Sequence, residues 1–183
     1  MPLKSFPEPW KSFFTEIDES LEEELALPCL GGFVMTILYG LDRPTADVDV
    51  LPGGSIAATE SLIGFAGQGS KLHQKYKVYL QVAGVAQVPV YYEDRLTEMF
   101  PGSFNHLRLF ALDPYDLALS KLERNTQRDR DDVKHLARYV PLDLNTLQER
   151  YREELRPDLG NPEREDLTLK LWIEIIEEER QSG

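Results

Sequence analysis

Apolar residues near the start of the chain recur at a helical spacing. Between Trp10 and Leu21 they occupy every third or fourth position with polar residues between them, which predicts an amphipathic helix over residues 9–25. Residues 26–30 follow as a short connection or a strand. The chain therefore begins with one amphipathic helix and then changes to shorter elements.

An apolar stretch over residues 33–39 lies between glycines. A run of this length is compatible with a helix or a buried strand. The pair Gly31-Gly32 in front of it favours a short buried helix with an exposed N-terminus. Gly40 is expected to end this helix, because glycine readily adopts the left-handed conformation of a helix C-terminus.

Alternating side-chain character predicts the strands. Residues 46–51 alternate between acidic and aliphatic side chains, which is typical of a strand with one apolar face. After this strand, Ser55 is predicted to cap a helix over residues 56–65. Further β-rich segments are predicted at residues 76–82, 86–92 and 107–112, with an irregular or briefly helical stretch at 91–100.

The pattern becomes helical from Asp113 onward. Asp113-Pro114 is typical of an N-cap followed by a first helical turn. Thr126 and Asp129 resemble a capping box in which Asp replaces Glu. Two more helices are predicted, over residues 142–155 and 166–179.

These elements predict an α+β fold. We expect a small mixed β-sheet flanked by helices over residues 1–112, followed by a helical C-terminal region over residues 113–183 that packs on the sheet. The chain has 183 residues, 42% of them hydrophobic, which is enough apolar material for a folded core.

Composition excludes several classes of protein. The single cysteine, Cys29, excludes an intramolecular disulfide framework and a cysteine-rich zinc site, and it is predicted to be a small buried hydrophobe. The net charge of −12 argues against a general electrostatic grip on DNA. No apolar run is long enough to span a bilayer, and we expect neither a signal peptide nor a membrane partner. A cytoplasmic protein is the expectation.

Asp47 and Asp49 form the clearest chemical pattern. Two positions apart on a strand, their carboxylates share one face, with Cα atoms roughly 6.5 Å apart. Such a pair can hold one hard cation or two. The glycines Gly31 and Gly32 let backbone N–H groups approach a phosphate at a helix N-terminus. Together the two features predict a site for a nucleoside triphosphate and its metal, although each also occurs without a ligand.

Two parts of the sequence resemble a known family. The glycine pair, a short helix and then RPTADVD at residues 43–49 resemble the signature of the polymerase-β-like minimal nucleotidyltransferases. DPYDLALSKL at residues 113–122 and RDRDDV at residues 128–133 are similar to blocks of the AbiEii-like toxin nucleotidyltransferases, and in particular to their small bacterial relatives. The resemblance covers about residues 27–139.

The resemblance implies a Mg²⁺-dependent enzyme that moves a nucleoside monophosphate from an NTP to a hydroxyl acceptor. It implies that Gly31 and Gly32 contact the triphosphate and that Asp47 and Asp49 ligate Mg²⁺. The acceptor implied is a tRNA end, another RNA, a protein or a small molecule. A toxin–antitoxin pair is implied as the biological setting.

Four further residues belong to the site by the same resemblance. Arg43 and Thr45 would shape the approach to the carboxylates and touch phosphate. Lys121 would lie near the phosphates as a point charge, and Asp132 would face the same cleft as a catalytic residue. Apart from the resemblance, Lys121 is equally compatible with a lysine lying along the surface, and Asp132 with a helix-surface acid.

The sequence departs from the family pattern at one position. Catalytic relatives usually carry a third carboxylate on a later strand, whereas the predicted strands here contain Gln81 and Gln87. Glu93, Asp94 or Asp132 could serve instead, or the reaction could proceed without a dedicated base. The alternative is a catalytically degenerate protein of the same fold that binds a nucleotide or a partner.

A third hypothesis concerns acidic segments. Residues 16–24 and 163–179 are rich in glutamate and could dock a basic partner, such as an antitoxin, or a second copy of the chain. Runs of charge are more often solvated surfaces.

Overall fold

The structure is a computed structural model that describes residues 3–52, 56–84 and 87–182. A mixed five-stranded sheet and a majority of helical residues confirm the predicted α+β fold. The chain divides into two compact units, which are described separately below. The first comprises Met1–Gly84 and Leu96–Leu112, and the second Val85–Arg95 and Asp113–Gly183.

The first unit contains the sheet. Its strands are β1 (Leu25–Leu30), β2 (Asp47–Val50), β3 (Tyr79–Val82), β4 (Thr97–Glu98) and β5 (Leu107–Ala111). Their spatial order is β3-β2-β1-β5-β4. The two central pairings differ in direction, since β1 runs antiparallel to β2 and parallel to β5. At the edges, β3 runs parallel to β2 and β4 antiparallel to β5.

Four helices accompany this sheet. They are α1 (Trp10–Glu19), α2 (Gly31–Tyr39), α3 (Ile56–Ala66) and α4 (Lys71–Tyr76). The predicted buried helix after the glycine pair is confirmed as α2, and Gly40 ends it in the left-handed conformation with φ of 64°. Phe33 of α2 packs edge-on against Trp10 and Phe14 of α1, which joins the two helices through aromatic contacts.

The first helix is shorter than predicted. It ends at Glu19, and the Ser20 hydroxyl donates to the Ile17 carbonyl at 2.7 Å. Leu25, predicted to be the last helical residue, instead begins β1, where its N–H donates to the His106 carbonyl at 2.9 Å. Pairing with a distant strand therefore overrides the local helical pattern.

Two of the β-rich predictions also need correction. The segment predicted at residues 76–82 begins later, as β3 at Tyr79–Val82, because Tyr76 is the last residue of helix α4, whose first turn the Ser70 hydroxyl caps by accepting the His73 N–H. No described residue of the predicted strand at 86–92 is in a strand, and Pro89 in this stretch lacks the N–H that pairing requires. The predicted turn at Gly53-Gly54, the Ser55 cap and Ala86 lie outside the described residues.

The second unit is helical in its described part. Its α-helices are α5 (Pro114–Leu119), α6 (Gln127–Tyr139), α7 (Leu144–Arg150) and α8 (Pro162–Ser182). Asp113 caps α5 by accepting the Asp116 N–H, as predicted. The helix predicted over residues 142–155 is α7 followed by a π-helical turn, Tyr151–Leu155. Across the described ranges, no helix combines the length and apolar character needed to cross a membrane.

The predicted capping box at the start of α6 is confirmed. The Thr126 hydroxyl accepts the Asp129 N–H, and the Asp129 carboxylate accepts the Thr126 N–H at 2.9 Å. Arg124 adds two hydrogen bonds, of 2.9 and 2.5 Å, to the same carboxylate. Burial raises the pKa of Asp129, but these hydrogen bonds from Arg124 and Thr126 outweigh burial and hold the pKa at about 2.

Asp129 is expected to make stability depend on acidity. Because its pKa is lower in the folded than in the unfolded chain, its contribution is complete above about pH 4 and is lost as the pH falls towards 2. This contribution is roughly 2 kcal/mol. In urea unfolding, the stability difference between wild type and Asp129→Asn should therefore shrink over this range. A difference that stays constant from pH 6 to 2 would contradict the assignment.

Candidate functional site

The exposed face of β2 carries two carboxylates. Val48 and Val50 are fully buried, at 0% exposure, whereas Asp47 and Asp49 are half-buried on the opposite face. The alternation follows from the two-residue repeat of a strand. Both predicted metal ligands therefore share one face.

Gly31 lies against one of these carboxylates. β1 ends at Leu30, which pairs with Asp49 across the antiparallel ladder, and the chain enters α2 at the next residue. A Cβ atom on Gly31 would lie 2.1 Å from Asp49 Oδ2, and its φ of +74° also disfavours other residues. The structure thus brings the predicted phosphate-binding glycine and a predicted metal ligand together.

The N-terminus of α2 adds positive potential at this place. Leu30 occupies the N-cap position in an extended conformation and provides no side-chain hydrogen bond to the first turn. Gly31 and Gly32 are the first two residues of the helix, where backbone N–H groups lack intrahelical acceptors. The helix dipole favours an anion here. The Asp49 carboxylate lies beside this end of the helix.

Hydrogen bonds orient both carboxylates. Asp47 Oδ1 accepts a 2.9 Å hydrogen bond from the Thr45 hydroxyl, so Thr45 orients the Asp47 side chain. Asp49 Oδ1 accepts the Gln81 amide at 2.7 Å. The Arg43 side chain is half-buried in the loop before β2, and the Thr36 hydroxyl donates to its carbonyl at 3.3 Å.

Strand β3 extends the site beyond the residues predicted from sequence. Its parallel register places Tyr79 opposite Asp47 and Gln81 opposite Asp49. Burial raises the pKa of Tyr79, and the charges of Asp47 and Asp49 raise it further, so the phenol stays protonated at neutral pH. The matching alternation of β2 and β3 was visible in the sequence, but their pairing was not.

Cys29 lies on β1, next to Leu30, which pairs with Asp49. The side chain is fully buried, which confirms the prediction of a small buried hydrophobe. Burial raises the pKa of its thiol, and the nearby Asp49 charge raises it further. Cys29 is therefore a neutral thiol and a poor candidate for a metal ligand.

Lys121 and Asp132 meet within the second unit. Lys121 Nζ lies 2.8 Å from Asp132 Oδ2, and the side chains are 4% and 1% exposed. The alternatives of a surface lysine and a surface acid are therefore wrong. A buried charge of either sign is costly without a partner. The ion pair therefore explains why both charged side chains can be buried.

The acids considered as a third carboxylate, Glu93, Asp94 and Asp132, belong to the second unit. Glu93 and Asp94 are exposed on a 3₁₀ helix, Tyr92–Arg95, of the second unit. Within the described ranges, no three His, Cys, Asp or Glu side chains form a cluster able to hold a metal ion. Among the residues that the structure describes, Asp47 and Asp49 are thus a pair that no third carboxylate joins into a metal-binding cluster.

Comparison with known protein families assigns the chain to one of them. The model of the family described as "Nucleotidyltransferase of unknown function (DUF6036)" matches residues 11–180. The chain belongs to this nucleotidyltransferase family. The resemblance of the β2 signature to nucleotidyltransferases is thereby confirmed at the level of the family. No curated protein and no solved structure matches the chain.

The site of this DUF6036 member has the donors that a hard cation prefers. Mg²⁺ binds oxygen ligands, typically one or two protein carboxylates together with substrate phosphates. Asp47 and Asp49 supply carboxylates on one face, and the missing side chain of Gly31 lets the Asp49 carboxylate lie directly against the start of α2. The residues present therefore fit a divalent cation with a bound phosphate.

Proposed function

We propose that this DUF6036 protein is a Mg²⁺-dependent enzyme that transfers a nucleoside monophosphate from an NTP to a hydroxyl acceptor. The supporting observation is the close approach of Asp49 to Gly31, which joins a carboxylate pair to the N-terminus of α2, where the N-cap residue Leu30 provides no side-chain hydrogen bond. A cation site and a phosphate site in contact are what a nucleoside triphosphate requires.

Asp47 and Asp49 are the proposed cation ligands. Thr45 and Gln81 hold one oxygen of each carboxylate, which limits rotation of both side chains. When bound, Mg²⁺ supplies charge neutralisation at the phosphate oxygens. Preorganised carboxylates lose little conformational freedom on binding, so the chain contributes mainly by positioning.

Gly31 and Gly32 are the proposed triphosphate contacts. Their backbone N–H groups at the start of α2 can donate to phosphate oxygens, and the helix dipole favours that charge. Arg43 lies in the loop that leads to β2 and is proposed to bind phosphate through its guanidinium.

The reaction follows from these contacts. The acceptor oxygen attacks the α-phosphorus of the NTP and forms a new P–O bond. The bond from that phosphorus to the oxygen bridging to the β-phosphorus breaks, and pyrophosphate leaves with the electron pair. The acceptor loses its proton to solvent or to a base. Catalysis then consists of alignment and charge stabilisation.

Lys121 and Asp132 are proposed to serve the same reaction. Their resemblance to AbiEii-like blocks motivates this assignment, and the structure adds that they form an ion pair. They would therefore act together, with Asp132 orienting the Lys121 ammonium group. The proposed acceptor, by the same resemblance, is RNA such as a tRNA end, or a protein, in a toxin–antitoxin setting.

Transfer of the α-phosphate tests the proposed function. The protein is incubated with each α-³²P-labelled NTP, Mg²⁺, and either total RNA or protein lysate. Relative to the same mixture without the protein, we expect one or more α-labelled NTPs to add label to a macromolecule, with no added label from γ-³²P-labelled NTPs or in EDTA.

Equilibrium binding of the same nucleotides separates the alternatives. Nucleotide binding without transfer to any acceptor would favour the degenerate, non-catalytic protein. Absence of both binding and transfer would contradict the proposal and this alternative together.

A further inference from the structure

Gln81 lies beside the carboxylate pair on the neighbouring strand. It is in register with Asp49, and its Nε2 donates a 2.7 Å hydrogen bond to Asp49 Oδ1. The second oxygen, Oδ2, lies 2.1 Å from the place that a Cβ of Gly31 would occupy. The Gln81 hydrogen bond therefore holds one oxygen of Asp49, while the other oxygen lies against the backbone of Gly31.

The side chain at position 81 is also neutral. A carboxylate there would lie within hydrogen-bond distance of Asp49 and repel it, whereas an amide N–H attracts it. The paired face of β2 and β3 therefore carries two negative charges, from Asp47 and Asp49, and a hydrogen-bond donor from Gln81.

The number of carboxylates affects how a cation binds. Mg²⁺ requires six oxygen ligands in near-octahedral geometry and gives up its water reluctantly. Two carboxylates cannot complete this shell, so phosphate oxygens would provide further ligands and further negative charge. Cation affinity at this site should accordingly rise when a triphosphate is present.

We propose that Gln81 is a positioning residue that holds Asp49 in its cation-binding direction and makes cation binding depend on the nucleotide. The inference rests on the proposed function. Without nucleotide, the protein holds a divalent cation weakly.

Titration with Mn²⁺, followed by the EPR signal of the free ion, tests this inference on the full-length chain. Wild type should bind Mn²⁺ alone weakly, and at least about tenfold more tightly with a mixture of the four α,β-methylene nucleoside triphosphates, once the Mn²⁺ that these nucleotides chelate in a parallel titration without protein is subtracted. Gln81→Glu should bind Mn²⁺ alone about tenfold more tightly than wild type, because it adds a third carboxylate. The matched control is Gln68→Glu, which adds the same charge at an exposed position of the same unit.

A second variant removes the hydrogen bond without adding charge. Gln81→Met has similar length but no donor, and we expect its affinity for Mn²⁺ with nucleotide to fall about 10- to 100-fold. If Gln81→Met fails to fold, Gln81→Glu still tests the inference, because a gain of Mn²⁺ affinity cannot result from a loss of structure.

Three results would count against the inference or its basis. Equal Mn²⁺ affinity of Gln81→Glu and Gln68→Glu overturns the role of Gln81. Tight Mn²⁺ binding by wild type without nucleotide overturns the dependence on nucleotide. If wild type binds no nucleotide while Gln81→Glu gains Mn²⁺ affinity, the proposed function fails and the position of Gln81 beside the cation site is retained.

Discussion

Replacing Asp47 or Asp49 with Asn is expected to reduce nucleotidyl transfer about a thousandfold. Each change removes one negative charge from the proposed cation site, where charge stabilisation contributes several kcal/mol and each 1.4 kcal/mol is a factor of ten. The Asn side chain keeps the shape of Asp and an oxygen that can accept the Thr45 or Gln81 hydrogen bond. We therefore expect a folded protein with little activity, measured as transfer of α-³²P label.

Asp42→Asn is the matched control for these variants. Asp42 is exposed in the loop between α2 and β2, so the substitution makes the same change in charge close by in the chain. We expect it to keep wild-type transfer, because its carboxylate does not lie on the β2 face. Full activity of an Asp47→Asn, Asp49→Asn double variant would contradict the assignment of the carboxylates.

Gly31→Ala is expected to lower transfer about a hundredfold or more, since small displacements of reacting groups cost that much. The new methyl group would lie 2.1 Å from Asp49 Oδ2 and must displace this carboxylate or the start of α2. The positive φ of residue 31 adds about 1–2 kcal/mol of strain in any residue other than glycine.

Gly40→Ala is the control that separates the effect of the steric clash with Asp49 from the effect of backbone strain. Gly40 has a similar φ of +64°, but a Cβ there meets no atom within 4 Å. Both variants should lose about 1–2 kcal/mol of stability in urea unfolding through strain. Gly31→Ala alone should lose transfer as well. Equal activity of the two variants would show that the contact with Asp49 is unimportant.

Local patterns were sufficient to predict the elements that form the site. The apolar run between glycines became α2, and the alternation at Asp47-Val48-Asp49 became β2. Glycine placement and side-chain alternation act over a few residues, so a sequence shows them directly. The convergence of Gly31 and Asp49 was predicted because the same motif contains both.

Contacts between distant segments were not predictable in the same way. Gln81 meets Asp49 across 32 positions, and nothing in the local sequence indicates that β3 pairs with β2. The bidentate contact of Arg95 with buried Asp116 joins segments 21 positions apart in the second unit. Local pattern also failed where distant pairing won, as at Leu25, because the ladder with β5 competes with helix formation.

A crystal structure with Mn²⁺ and an α,β-methylene nucleoside triphosphate tests the central claim most directly. Anomalous scattering locates the Mn²⁺ ion independently of the phosphates. The account predicts the ion at about 2.1–2.3 Å from carboxylate oxygens of Asp47 and Asp49, with a phosphate at the N–H groups of Gly31 and Gly32. An ion and triphosphate bound elsewhere, with the β2 carboxylates uninvolved, would contradict it.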